Sequence, residues 1–208
     1  REIALLQERT GWPKYFLGLL GKNNKKRVLD AASILQNGVF GGGSVWLSAA
    51  IQSTDEEVLK NVKRSNISSD ALFNIASQGE AHGSNTFSEL ILALPGDSKA
   101  GHFKSVRDLM DTGVSVVRVH QFILLMGSES STKRDRERFQ LLGRFRVMPH
   151  TASSYDIYGQ MVVAPEIDEI CVGNETMSFQ DYLECRKLNL TIEAFYNNEL
   201  FLELFKFL

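Results

Sequence analysis

Hydrophobic and polar positions along the first two thirds of the chain switch between two periods. Short apolar stretches of period two predict strands at Tyr15–Leu20, Val45–Ser53, Phe87–Leu94 and Val114–Met126. Between them a period near 3.6 predicts helices. Lys25–Gln36 places Val28, Ala32 and Leu35 on one face, and further helices are predicted over Asp70–Glu80 and Lys99–Asp111. Thr54-x-x-Glu57 reads as a capping box that opens a helix carrying Val58, Leu59 and Val62 on one side. Pro95-Gly96-Asp97-Ser98 predicts a turn, and Gly113 a helix stop.

Strand starts near 15, 45, 87 and 114 leave room for a crossover each time, which makes neighbouring strands parallel. Four βα units in series imply an α/β barrel or an open doubly wound sheet. After residue 132 the grammar changes. Lys133–Arg138 is charged, Val147–Gly159 reads as a loop, Gln160–Val172 as extended chain and Ser178–Leu208 as helix. The expected division is therefore a series of βα units over 1–132 and an extension ending in helices over 133–208. Arg1 stands inside an amphipathic pattern (Ile3, Leu5, Leu6) with no cap before it. Phe201–Leu208 is an apolar run with no helix stop, so the expectation is a piece of a longer protein.

Composition narrows the class. Of 208 residues, 43% are apolar, with 13 Phe, 5 Tyr and 2 Trp, enough for a sizeable core. A formal charge of −2 gives no electrostatic case for nucleic acid or an anionic membrane. The longest apolar runs, Leu90–Leu94 and Phe122–Met126, fall far short of the ~20 residues that span a bilayer. Two cysteines make no disulfide framework, so a reducing, cytoplasmic setting is expected.

Strand alternation then sorts the polar residues. Val45, Leu47, Ala49 and Ile51 take one face, and Trp46, Ser48, Ala50 and Gln52 the other. Leu90, Leu92 and Leu94 oppose Glu89, Ile91 and Ala93, while Val117 and Val119 oppose Arg118 and His120. Ser48, Gln52, Glu89, Arg118 and His120 thus collect on the face away from the helices. A purely structural barrel interior is filled with Val, Ile and Leu. This lining points to a ligand-holding hollow, or to an internal Glu89–Arg118 pair. Lys22, Asn23 and Asn24 follow a strand at the end where barrels place their chemistry, either as ligand contacts or as a polar loop. His82, His102 and His150 lack metal-ligand spacing, and Gly41–Gly43 lacks the following Lys-Ser/Thr of a phosphate loop.

Two stretches carry a resemblance: Ala50–Ile67 (Ala-Ile-Gln-Ser-Thr-Asp-Glu-Glu-Val-Leu-Lys-Asn-Val-Lys-Arg-Ser-Asn-Ile) and Ser88–Asp97 (Ser-Glu-Leu-Ile-Leu-Ala-Leu-Pro-Gly-Asp). With Gly11-Trp-Pro-Lys-Tyr15, Lys22-Asn23 and Asn174-Glu-Thr-Met-Ser-Phe-Gln-Asp-Tyr182, they resemble radical S-adenosylmethionine (SAM) enzymes, Fe–S oxidoreductases, nearest the branch with a cobalamin-binding domain. That resemblance implies a partial TIM-like (βα) barrel. This chain would hold its strands three to six plus a C-terminal α/β extension. The family's Cys-x-x-x-Cys-x-x-Cys, which binds a [4Fe–4S] cluster, is not in this sequence. Cys171 and Cys185, with 13 residues between them, cannot supply three thiolates, so no metal site is expected here.

Carried over position by position, the resemblance implies SAM contacts at Gln52 (ribose), Arg64 (the SAM carboxylate) and Glu89 (ribose hydroxyls), with Ser48 beside them. Lys22, Asn23, Arg118 and His120 are the corresponding substrate candidates. Ala93 stands where the family has glycine, and its methyl would narrow the approach of adenine. The implied activity is reductive cleavage of SAM to a 5′-deoxyadenosyl radical, followed by hydrogen abstraction or, with cobalamin, methyl transfer. The implied partners are a small-molecule metabolite and an electron donor for the cluster, with this piece inactive alone. Two other readings stay open. One is a different barrel enzyme using Glu89 and His120 as acid and base; the other is a docking module presenting Phe195, Leu202 and Phe205.

Overall fold

The computed structural model describes residues 1–14, 27, 30–31, 34–35, 47–65, 86–148, 151–197 and 201. The strand expected at 15–20, the helix expected at 70–80 and the positions Lys22 and Asn23 lie outside the described residues. So does most of 25–36, although residues 27, 30–31 and 34–35 are helical.

Helix α1 (Glu2–Thr10) ends where Gly11 turns left-handed at φ 67° and donates to the Gln7 carbonyl. Strand β1 (Leu47–Gln52) leads into helix α2 (Glu56–Asn61), and strand β2 (Thr86–Leu92) into helix α3 (Lys99–Asp111). Strand β3 (Val116–Gln121) follows. The three strands form one parallel sheet in the order β1-β2-β3, as the crossover spacing required.

Alternation within β2 is complete. Thr86, Ser88, Leu90 and Leu92 are buried, whereas Phe87, Glu89 and Ile91 are half-buried on the opposite face. The closed face packs Ile51, Leu90 and Val117 against Val106 and Leu109 of α3, with Val114 and Ile192 closing the cluster. Each fully buried aliphatic side chain there contributes roughly 1.5–3 kcal/mol.

Helix α2 is capped differently from expectation. Asp55, not Thr54, is the N-cap: its Oδ1 accepts from the Glu57 and Val58 amides at 2.9 and 3.2 Å. Thr54 instead donates to Asp108 at 2.6 Å, tying the β1–α2 turn to α3. An aspartate one residue later offers a stronger acceptor to the same orphan amides, so it displaces the hydroxyl. The Asp97-Ser98 turn does open α3, with Ser98 accepting from the Gly101 amide at 3.0 Å. Gly113 follows α3 at φ 77°.

The expected strand Val114–Met126 shortens to β3 because the chain changes partner. Phe122 still donates to the Leu92 carbonyl at 3.1 Å, but Leu124 donates to Glu169 and Cys171 to Phe122, both at 2.8 Å. Beyond it lie the short helix α4 (Lys133–Arg138), strand β4 (Gly143–Val147), strands β5 (Ser153–Ile157) and β6 (Gln160–Ala164), and strand β7 (Ile167–Cys171). β4 pairs antiparallel with β7, and β5 with β6. The expected loop Val147–Gly159 therefore contains a strand. Tyr158 and Gly159, both at positive φ (52° and 80°), make the two-residue turn whose twist suits a hairpin.

Helix α5 (Phe179–Thr191) starts in a capping box between Ser178 and Asp181. It ends in a wide turn over Ile192–Tyr196, and Asn197 is extended, so the expected continuous helix over 178–208 is interrupted there. A second cluster joins Leu92, Ala93 and Leu124 to Ile170, Val172, Met177 and Tyr182, so residues from both sides of position 132 share one core. Among the described residues no helix is long and apolar enough to cross a membrane.

Candidate functional site

Two non-glycine residues sit in the left-handed region at the carboxyl ends of neighbouring parallel strands: Gln52 (φ 71°) on β1 and Ala93 (φ 65°) just after β2. Such backbone costs about 1–2 kcal/mol per residue and persists only where surroundings hold it. At Gln52 the pairing slips, so Ala50 faces Glu89 while Gln52 faces Leu90. At Ala93 the amide donates to the buried Asp97 carboxylate at 3.3 Å. The φ of Ala93 also explains why glycine suits this position: there it would carry no strain.

The loop after β2 is pinned from three sides. Asn61 donates to the Pro95 carbonyl (3.0 Å), Asn174 to Leu94 (2.8 Å) and the Thr176 hydroxyl to Asp97 (2.7 Å). Gly96, at φ 82°, lies so close to Asn61 that a Cβ would meet its side-chain nitrogen. Asp97 is buried, and desolvation pushes its carboxyl up to about 7, with the nearby Asp55 charge adding to the rise and backbone amides of Ala93 and Ser98 opposing it. Sequence reasoning treated these residues as turn and tail motifs. The Asn174-x-Thr176 spacing was the available signal, but its partners lie some eighty residues away.

The open face carries the polar residues that alternation placed there. Glu89 and Arg118 are register partners, yet they do not pair. The Glu89 carboxylate accepts from Nε2 of His120 at 3.1 Å. The Arg118 guanidinium lies 5.6 Å over the Phe87 ring, and among the described residues it makes no ion pair. Glu89 therefore leans toward the carboxyl ends of the strands, and Arg118 toward the amino ends. Gln52 is half-buried at the end of β1, and its side chain has no hydrogen-bond partner among the described residues. Ser48 lies in β1 opposite Phe87, on a backbone level below Gln52.

Arg64 stands apart. It follows α2, its amide donates to the Leu59 carbonyl at 2.9 Å, and its side chain is exposed. It forms no ion pair with Glu89. The sheet thus brings Glu89, Arg118 and His120 to one face, with Gln52 at the bulged end of the neighbouring strand β1 and Arg64 on the loop after α2.

The cysteines do not fit an iron–sulfur cluster. Both are fully buried, and Cys171 donates to the Gly173 carbonyl. Burial raises both thiols, Cys185 to about 12 with Asp97 and Asp181 adding to the rise, whereas a cluster needs thiolates. Among the described residues no group of three or more His, Cys, Asp or Glu side chains is placed to hold a metal ion. His102 is an interior residue, with Nε2 2.9 Å from Asn189 Oδ1 and its pKa lowered by burial. The donor set on the open face (an amide, a carboxylate and an imidazole) suits a hydroxyl-bearing organic ligand such as SAM.

No protein-family profile matches the chain. Over 133 residues, 64% of this chain, it is 26% identical to 2-(S-pantetheinyl)-carbapenam-3-carboxylate methyltransferase of Streptantibioticus cattleyicolor, covering 19% of that protein. Over 140 residues, 67% of the chain, it is 26% identical to the cobalamin-dependent radical SAM methyltransferase TokK of Streptomyces tokunonensis, covering 20% of it. The chain thus spans about a fifth of the length of the curated relatives it matches. Among solved structures, the radical SAM enzyme coproporphyrinogen III oxidase (HemN) of Escherichia coli matches 44% of this chain and 20% of its own at 19% identity, with a TM-score of 0.37. The described residues form a three-stranded parallel sheet and two antiparallel strand pairs. By sequence, the chain is similar to a cobalamin-dependent radical SAM methyltransferase, in keeping with the family that its strand motifs resemble.

Proposed function

We propose that this chain is the C-terminal part of a radical SAM enzyme's partial barrel, and that the open face of β1–β3 lines its SAM-binding hollow. The observation that carries this reading is the asymmetry of the sheet. One face is sealed by Leu90, Val106, Leu109 and Val117, while the other presents Glu89 and His120, and Gln52 stands at the end of the neighbouring strand β1. Gln52 and Glu89 would hold the nucleoside, with Ser48 behind them, and Arg64 would swing from its loop to fork the SAM carboxylate. When bound with the cluster, SAM supplies a 5′-deoxyadenosyl radical for hydrogen abstraction, or with cobalamin a route to methyl transfer.

The cluster ligands and the cobalamin domain would lie outside this chain, which alone would be inactive. The parent would take a small-molecule metabolite and a reducing partner. Lys22, Asn23, Arg118 and His120 remain the proposed substrate contacts, and a cytoplasmic setting the proposed location. Titration calorimetry of SAM with Gln52→Ala and Arg64→Ala tests the reading. Each should weaken SAM by about 1.5–3 kcal/mol, the scale of a hydrogen bond to a charged or buried group. Unchanged affinity in both variants overturns it.

A further inference from the structure

The direction in which Glu89 points assigns it a task. Arg118 is its register partner on the adjacent strand, with strands about 4.8 Å apart, so an ion pair would be the default. The carboxylate turns instead to His120, two residues further along β3, at 3.1 Å. The guanidinium turns the other way, over Phe87. Among the described residues, the Glu89–His120 pair is thereby left without a neighbouring cation on this face.

In the neutral ring, a carboxylate that accepts from Nε2–H leaves Nδ1 as a lone-pair acceptor. The His120 side chain is 53% exposed against 31% for Glu89, so the imidazole, and not the carboxylate, is the outermost group of the pair. No described residue hydrogen-bonds to Nδ1. We infer that His120 is the ligand-facing acceptor on this face and Glu89 a positioning residue behind it. An acceptor there takes a hydroxyl- or amine-bearing group, such as a ribose diol. The inference rests on the reading that SAM lies on this face, and it moves His120 from a substrate contact to a SAM contact, with Glu89 behind it.

A double-mutant cycle on SAM binding separates the two roles. His120→Phe keeps the ring and removes the acceptor, and Glu89→Leu removes the support behind it. Each should weaken SAM about tenfold, and the double variant should also lose only about tenfold, because both changes break one contact. Glu89→Gln, which retains an acceptor for Nε2–H, should bind within about threefold of the unaltered chain. Additive losses of about a hundredfold, or a His120→Phe chain that binds SAM normally, overturn the inference alone. An unaltered chain that fails to bind SAM overturns the functional reading beneath it.

Discussion

Asn197 takes both backbone groups of Val117: its Oδ1 accepts from the Val117 amide at 2.9 Å, and its Nδ2 donates to the Val117 carbonyl at 3.1 Å. These are the bonds that a neighbouring strand would make. Side-chain amide thus replaces strand at the outer edge of β3, where unpaired backbone would otherwise invite another chain. The same segment places Tyr196, whose hydroxyl donates to the Val114 carbonyl at 2.7 Å.

Asn197→Ala should therefore destabilise the chain by about 2–4 kcal/mol, since two buried backbone groups lose their partners together. Asn197→Asp keeps an acceptor for the amide but confronts the carbonyl with a second oxygen, and should cost at least as much. Denaturant titration at neutral pH measures both, and losses within 0.5 kcal/mol, the range of ordinary surface changes, would show that the edge does not need the amide.

Asp97 makes stability depend on pH in an unusual direction. Its folded-state pKa of about 7 lies above the unfolded value of 3.8, so the folded chain binds the extra proton between those limits. Its contribution is present at low pH and is lost as pH rises from about 4 to about 7. Asp97→Asn keeps an acceptor for the Ala93 amide without the charge. It should raise the melting temperature at pH 8 and change it much less near pH 4. An equal shift at both values would assign the effect to packing.

The two cysteines should be chemically silent. Both thiols are fully buried and held above the usual range, Cys185 at about 12, so little thiolate exists at neutral pH. A thiol-specific reagent should label neither in the native chain and both after denaturation. Rapid native labelling of either would reopen the question of a metal or redox role.

Gly143 tests the ion pair at the start of β4. Arg136 binds the Glu169 carboxylate through two bonds of 2.6 Å, and a Cβ on Gly143 would collide with that carboxylate. Gly143→Ala should cost about 1–3 kcal/mol, the range for overpacking, and the loss should shrink in an Arg136→Ala, Glu169→Ala background. A thermal melt of the four variants measures this coupling, and identical losses in both backgrounds would contradict it.

Much of the sheet was legible in the sequence because burial on one face writes itself as period two. Leu90, Leu92, Val117 and Ile51 fell on the closed face, and Glu89, Arg118 and His120 on the open one. Helix α3 was legible to its first and last residues, since Ser98 and Gly113 punctuate it. What escaped were features set by distant partners. Thr54 looked like a cap until Asp108 claimed its hydroxyl, and β3 ended early because Leu124 found Glu169. The β5–β6 hairpin hid because Tyr158-Gly159 is an uncommon turn pair. Within the candidate site, face membership was readable but direction was not: only coordinates show Glu89 choosing His120 over Arg118, and Arg64 standing off on its loop.

The most direct measurement is a crystal structure of the chain, or of its parent enzyme, with SAM bound. The account predicts the nucleoside over the open face at the carboxyl ends of β1 and β2, with ribose oxygens in hydrogen-bond reach of Gln52 and of the Glu89–His120 pair. A nucleoside seated on the helix-covered side, on the β5–β6 hairpin, or beyond reach of those three side chains would contradict it.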